Sequence, residues 1–181
     1  MRRLILAAML AVILPSGAGI VNAAALTVDD IEKKPAKEIE ANLPDSHPMA
    51  YFAYAIKLFK AKKYDPAVQW FYVGQIRYRQ YLLANPELPA TGDPAQYKDI
   101  VEGGFGKAVS DYSGGNVRIW TQTIDDALAW DQKSPNNSVS KETYAAQWQQ
   151  ARAEVTKERD RIKKSEAQIK AERASQGLTD R

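Results

Sequence analysis

Residues 66–84 constrain the fold more than any other stretch of the chain. Ala67, Val68, Trp70, Phe71, Tyr72, Val73, Ile76, Tyr78, Tyr81, Leu82 and Leu83 leave almost no helical face without an apolar side chain. Asp65-Pro66 reads as a helix cap followed by proline in the first turn, and Asn85-Pro86 stops the helix. A helix that is apolar all round belongs in the middle of other helices. Gly74 costs it about 1 kcal/mol relative to alanine, which predicts a close helix crossing there. No segment alternates with period two for long enough to make a half-buried strand. The chain is therefore read as all-α, a compact helical bundle built around this segment.

The flanking segments supply the partners. Residues 26–48 form a lead-in in which Pro35, Pro44 and Pro48 forbid one continuous helix, leaving short helices over 28–34 and 36–41. A helix over 49–61 follows, with Ser46 or His47 at its cap and Phe52, Ala55, Ile56 and Phe59 on one apolar stripe. Beyond the loop 87–94, a short helix over 95–101 leads into Gly103-Gly104-Phe105-Gly106, read as a flexible elbow, and a further helical turn spans 107–112. Asn116 caps a helix to Gln132 whose stripe is Val117, Trp120, Ile124, Ala127 and Leu128. Ser140 caps a last helix running to Ser175. Past Val155 only Ile162 and Ile169 keep its apolar stripe, so its charged end, 161–181, is expected to project into solvent. The bundle proper is expected over 49–160.

The amino terminus bears on location. Met1-Arg2-Arg3 precedes an apolar run from Leu4 to Leu14, and Pro15, Ser16, Gly17 and then Ala23-Ala24-Ala25 follow. Basic, apolar and small residues in that order suit a cleaved signal peptide over residues 1–25. The apolar run falls short of the roughly 20 residues that a spanning helix needs, so no membrane anchor is expected after cleavage. The chain has no cysteine, which excludes both an acylated lipobox and a disulfide framework. Removing Arg2 and Arg3 from the 25 basic residues leaves 23 against 22 acidic ones. No basic tract is gathered, and nucleic acid is not an expected partner.

Catalytic and metal chemistry find little support in the residue pattern. His47 is the one histidine, with neither a second histidine nor a cysteine to complete a metal site. Asp125-Asp126 and Asp29-Asp30 are adjacent in sequence, and adjacent helical residues do not face each other. Asp126 and Asp131 read as capping or solvated positions. Gly106-Lys107 lacks the following Ser or Thr, and the glycine five positions earlier, that a phosphate loop needs. Neither a cofactor, a metal nor a catalytic group is expected. The set that invites recognition is Trp70, Tyr72, Gln75, Arg77, Tyr78 and Arg79, because Arg, Tyr and Trp dominate binding hot spots. Two arrangements are open to it. Arg77 or Arg79 lines a cleft with Tyr72 and Gln75, or the aromatics fill the core while each arginine reaches a carboxylate at the helix surface.

Tyr51 to Gly74 resembles a tetratricopeptide or Sel1-like helical hairpin. Tyr51, Tyr54 and Leu58 stand at its large positions, Ala55 at a small one, Tyr64 at the turn, and Ala67, Phe71 and Gly74 follow on the second helix. Arg79 stands where the repeat's terminal proline belongs. Asp65 to Arg79, together with Ile124 to Pro135 and its D-D-A-L-A-W-D-x-x-x-P run, also resemble a set of small exported proteins of Gram-negative bacteria. These likenesses imply a periplasmic or secreted protein that binds another protein, and some exported helical proteins of this build are immunity proteins against antibacterial effectors. An envelope assembly or stress accessory docking through its last helix is a second expectation, and a small carboxylate-dependent hydrolase a third.

Overall fold

The structure, a computed structural model, describes residues 25–181. All of the expected signal peptide except Ala25 lies outside the described residues. Among these the regular elements are helical, without a strand: α1 (Val28–Lys33), α2 (Ala36–Asn42), a 3₁₀ turn (Leu43–Asp45), α3 (Met49–Lys60), α4 (Tyr64–Ala84), α5 (Asp93–Glu102), α6 (Gly104–Ser113), α7 (Val117–Lys133), α8 (Ala145–Lys164) and α9 (Glu166–Ser175). The helical bundle expected from sequence is the architecture found. No described helix is long and apolar enough to cross a membrane.

Helix α4 is the centre of the bundle. It packs along α3, α7 and α8, and more lightly on α5 and α6. The close crossing at Gly74 is with α3, where an added Cβ would stand 3.1 Å from the Phe52 ring and 3.3 Å from the Tyr51 Cβ. The helix starts at Tyr64, two residues before the proline, so Asp65 is not its cap. The turn ahead of it closes α3 instead. Lys62 takes a left-handed φ of 61°, the Lys63 N–H donates to the Leu58 carbonyl, and the Lys62 N–H donates to that of Phe59. This is the Schellman arrangement with lysine where glycine is usual.

Helix α3 is buried on a wider arc than one stripe. Tyr51, Phe52, Tyr54, Ala55 and Leu58 are buried while Ile56 and Phe59 are only half-buried, because α1 and α2 cover its outer side. Ile31, Ile39 and Leu43 of the lead-in are buried in the same core. Lys57 ties the layers together, donating at 2.7 Å to the carbonyls of both Ile31 and Lys34 at the end of α1. At the start of α1, Thr27 and Asp30 form a reciprocal capping box. The cap of α3 is Pro48, and neither Ser46 nor His47 as expected; His47 Nδ1 accepts the Met49 N–H at 3.3 Å from one position earlier.

Two expectations are corrected at the other end. The glycine elbow shrinks to Gly103, since Gly104, Phe105 and Gly106 already belong to α6. A Cβ at Gly106 would lie 1.8 Å from the Val101 carbonyl oxygen; this glycine allows a close backbone approach and not motion. The last helix is neither continuous nor free. It breaks at Ser165, where Lys163 and Lys164 end α8 and Glu166 opens α9, each charge suited to its helix terminus. The break lets α9 turn back: Ile162 is buried, Ile169 packs on the core, and Arg173 donates to the Asp111 carbonyl of α6.

Candidate functional site

The six residues singled out on α4 do come together, but inside the protein. Trp70, Tyr72, Gln75, Arg77 and Tyr78 are all buried, and only Arg79 keeps a side chain that is 18 % exposed. A cleft lined by Arg77 with Tyr72 and Gln75 is not what forms, since all three are buried. The six face three helices at once and pair mostly with groups on those helices, although Gln75 Nε2, Arg77 Nη1 and Arg79 Nη1 are buried without a hydrogen-bond partner.

Arg77 points at α7. Its Nε lies 2.8 Å from Asp131 Oδ1, and both side chains are wholly buried. The N–H is not aligned on that oxygen, so the contact is an ion pair and not a good hydrogen bond. The aspartate's bonds are made on its other oxygen, which accepts from Trp148 Nε1 at 2.8 Å and Arg152 Nη1 at 2.7 Å. The last turn of α7 supplies further acceptors. Arg152 donates to the Leu128 carbonyl, Arg77 Nη2 to that of Ser134, and Lys141 to those of Asp131 and Ser134. Three cations thus gather around one carboxylate at the negative end of a helix dipole, where positive charge is favoured. Lys141 and Arg152 also lie over the Trp148 ring, at 4.7 and 5.3 Å. Burial, helped by the nearby Arg77 and Arg152, pulls the Lys141 ammonium down to about 8 against the pull of Asp131.

Arg79 and Tyr72 point at α5 and α8. The Tyr72 hydroxyl accepts from Trp120 Nε1 at 2.9 Å and reaches Glu158 at 3.4 Å. Burial holds this phenol well above its ordinary pKa. Glu158 pairs with Arg79 at 3.3 Å, and Glu154 lies 3.8 Å from it. Arg79 donates further to the Tyr97 hydroxyl at 2.6 Å and to Gln75 Oε1 at 2.9 Å. Tyr78 and Tyr81 donate to the two oxygens of Asp93, at 3.1 and 2.9 Å, with His47 Nε2 3.7 Å from the same carboxylate.

Asp131 is the residue that the sequence reading missed. It is placed there among capping or solvated positions, and here it is wholly buried. Gln80 and Asn136 form a second buried polar pair. Asn136 Nδ2 donates to Gln80 Oε1, and Gln80 Nε2 donates to the Val139 carbonyl. The loop 134–139 is therefore fixed to the core through α4.

What remains open to a partner lies away from α4. A groove of about 310 Å³ runs between α6 and α7 on one wall and α8 and α9 on the other, lined by Ser110, Trp120, Arg161, Ile162, Gln168 and Ile169. A second, smaller cleft continues it past Asp111 and Gly114 to Arg173 and Leu178. Among the described residues no cluster of His, Asp and Glu has the arrangement of a metal site. No protein-family model, no curated protein and no solved structure matches the chain.

Proposed function

We propose that this chain is a periplasmic protein-interaction module, non-enzymatic, with an immunity protein that blocks an antibacterial effector as its concrete form. The observation that carries the reading is the α6–α9 groove, whose smaller cleft is walled at one end by Leu178, the first residue of the chain's own segment 178–181. That segment is held in the way a bound peptide is held, by backbone hydrogen bonds and one anchoring side chain. Away from the groove, the arginines of α4 pair internally: Arg77 with Asp131, and Arg79 with Glu154 and Glu158. An arrangement of that kind gives a rigid body whose rim recognises and whose centre supports. The tetratricopeptide-like reading of the α3–α4 hairpin fits the same role, since such hairpins serve binding.

The test is capture from a periplasmic extract on immobilised mature chain. A single protein retained in saturable one-to-one stoichiometry, from a gene beside this one, supports immunity. Failure to retain any protein across several growth conditions sinks the interaction reading.

A further inference from the structure

We infer that residues 179–181 are a self-ligand seated in an arginine-recognition site, and that the same site takes an arginine presented by a protein partner when the tail leaves. Arg181 makes a full set of contacts for a residue in an irregular segment. Its guanidinium lies 3.7 Å from the centre of the Tyr112 ring. Its Nη2 is 3.0 Å from Asp65 Oδ1, and its Nε donates to the Tyr112 carbonyl at 3.2 Å. Its backbone N–H donates to the Gly115 carbonyl at 2.9 Å, and its own carbonyl accepts from Asn116 Nδ2 at 3.2 Å. Ring face, carboxylate and carbonyl together select the flat, five-donor guanidinium over an ammonium.

The receiving side has contacts of its own that do not involve the tail. Asp65, unused as a helix cap, accepts the Tyr112 hydroxyl at 3.0 Å, which fixes carboxylate and ring relative to each other. Gly115 leaves the room: a Cβ there would stand 3.1 Å from Arg173 Nη2 and 3.2 Å from the Arg181 Cγ. Beyond Arg181, the tail is held among the described residues by Arg173 alone, whose Nη2 donates to the Thr179 carbonyl at 2.7 Å, whose Nε lies 3.6 Å from Asp180 Oδ1 and whose carbonyl accepts from the Leu178 N–H at 3.0 Å. Residues 176–181 are exposed, no regular element includes 178–181, and Gly177 bends the chain at a φ of 70°. Segments with so few buried contacts open at low cost. Opening them removes Leu178 from the wall of the smaller cleft and exposes more of the α6–α9 groove. The tail then acts as an intramolecular competitor at an effective concentration in the millimolar range.

This proposal rests on the protein-binding reading for its biological partner, but its test does not. The probe is a synthetic peptide of residues 176–181 added in trans to isotope-labelled full-length chain carrying Arg181→Ala, followed through the amide signals of Gly115 and Asn116. Saturable shifts are expected, with a dissociation constant at or below about 1 mM, and binding about tenfold weaker to the unaltered chain, whose own tail competes. A peptide ending in glutamine should produce no shifts, and Asp65→Asn added to Arg181→Ala should abolish binding. Equal binding to altered and unaltered chains, no binding to a folded Arg181→Ala chain, or indifference to Asp65→Asn would each overturn the assignment. Because unfolding would mimic loss, the circular dichroism spectrum of each variant is recorded. The Asp65→Asn change is also read alone, as faster tryptic cleavage after Arg173. Unchanged cleavage there counts against the proposal too. Failure of the peptide to bind leaves the periplasmic capture result standing, and the reverse also holds.

Discussion

Replacing Asp131 by alanine removes the carboxylate that Arg77 and Arg152 pair with and that faces Lys141. The Arg77 and Asp131 side chains are completely buried, so the charge left on Arg77 is not screened by bulk solvent. Breaking a buried pair from one side costs about 3–5 kcal/mol. The Trp148 indole N–H would lose its acceptor as well. Against a total stability of about 5–15 kcal/mol for a domain, that loss is severe. At about 2–4 °C per kcal/mol for a chain of this length, the melting temperature should fall by roughly 6–20 °C. Asp125→Ala is the control. It lies in the same run and pairs with Arg159, but its side chain is 44 % exposed, and exposed pairs are worth about 0–1 kcal/mol. Urea unfolding of both variants, followed by far-ultraviolet circular dichroism, measures the difference through the midpoint at constant slope. Equal, small shifts for the two aspartates would refute the buried cluster around Asp131.

Two other perturbations separate the account from simpler ones. Gly106→Ala should destabilise by about 1–3 kcal/mol because its Cβ meets the Val101 carbonyl. Gly104→Ala, with nothing within 4 Å, should stabilise by about 0.4–1 kcal/mol; the pair is compared by thermal unfolding. Lys141 sets a pH dependence. Its folded pKa, about 8, lies below the ordinary 10.5, so between those values the unfolded chain binds more protons and stability contributed by this group rises with pH. The urea midpoint of the unaltered chain, relative to that of Lys141→Met, should therefore climb between pH 8 and pH 10. A flat difference across that window would contradict the placement of Lys141.

Much of the helical frame was legible because its boundaries rest on local chemistry. Asn116 accepts the Ile119 N–H as a cap should, and the five apolar residues read on α7 are all buried. The start of α4 was less legible, since a lysine does the work of a C-terminal glycine at position 62. The charged pair at the centre was hidden by the habit of reading charge as surface. Yet Asp131 falls seven residues after Ile124 and four after Ala127, on the buried stripe, and Arg77 falls seven after Trp70. Opposite charges on two apolar stripes are the signal for a buried pair. The return of α9 had a weaker sign, the Lys-Lys-Ser-Glu sequence at the break, and the docking of Arg181 had none. It depends on Asp65 meeting Tyr112 and Gly115, and Asp65 lies 47 residues before Tyr112 in the chain.

The central claim is that recognition happens at the α6–α9 rim, on a body made rigid by the ion pairs of α4. Hydrogen exchange of the chain, alone and bound to the protein captured from periplasm, tests it most directly. The account predicts new protection at the α6–α7 turn, in α9 and in residues 178–181 or the site they vacate, with α4 slow in both states. Retention of no partner, or new protection confined to α1, α2 and α3, would contradict it.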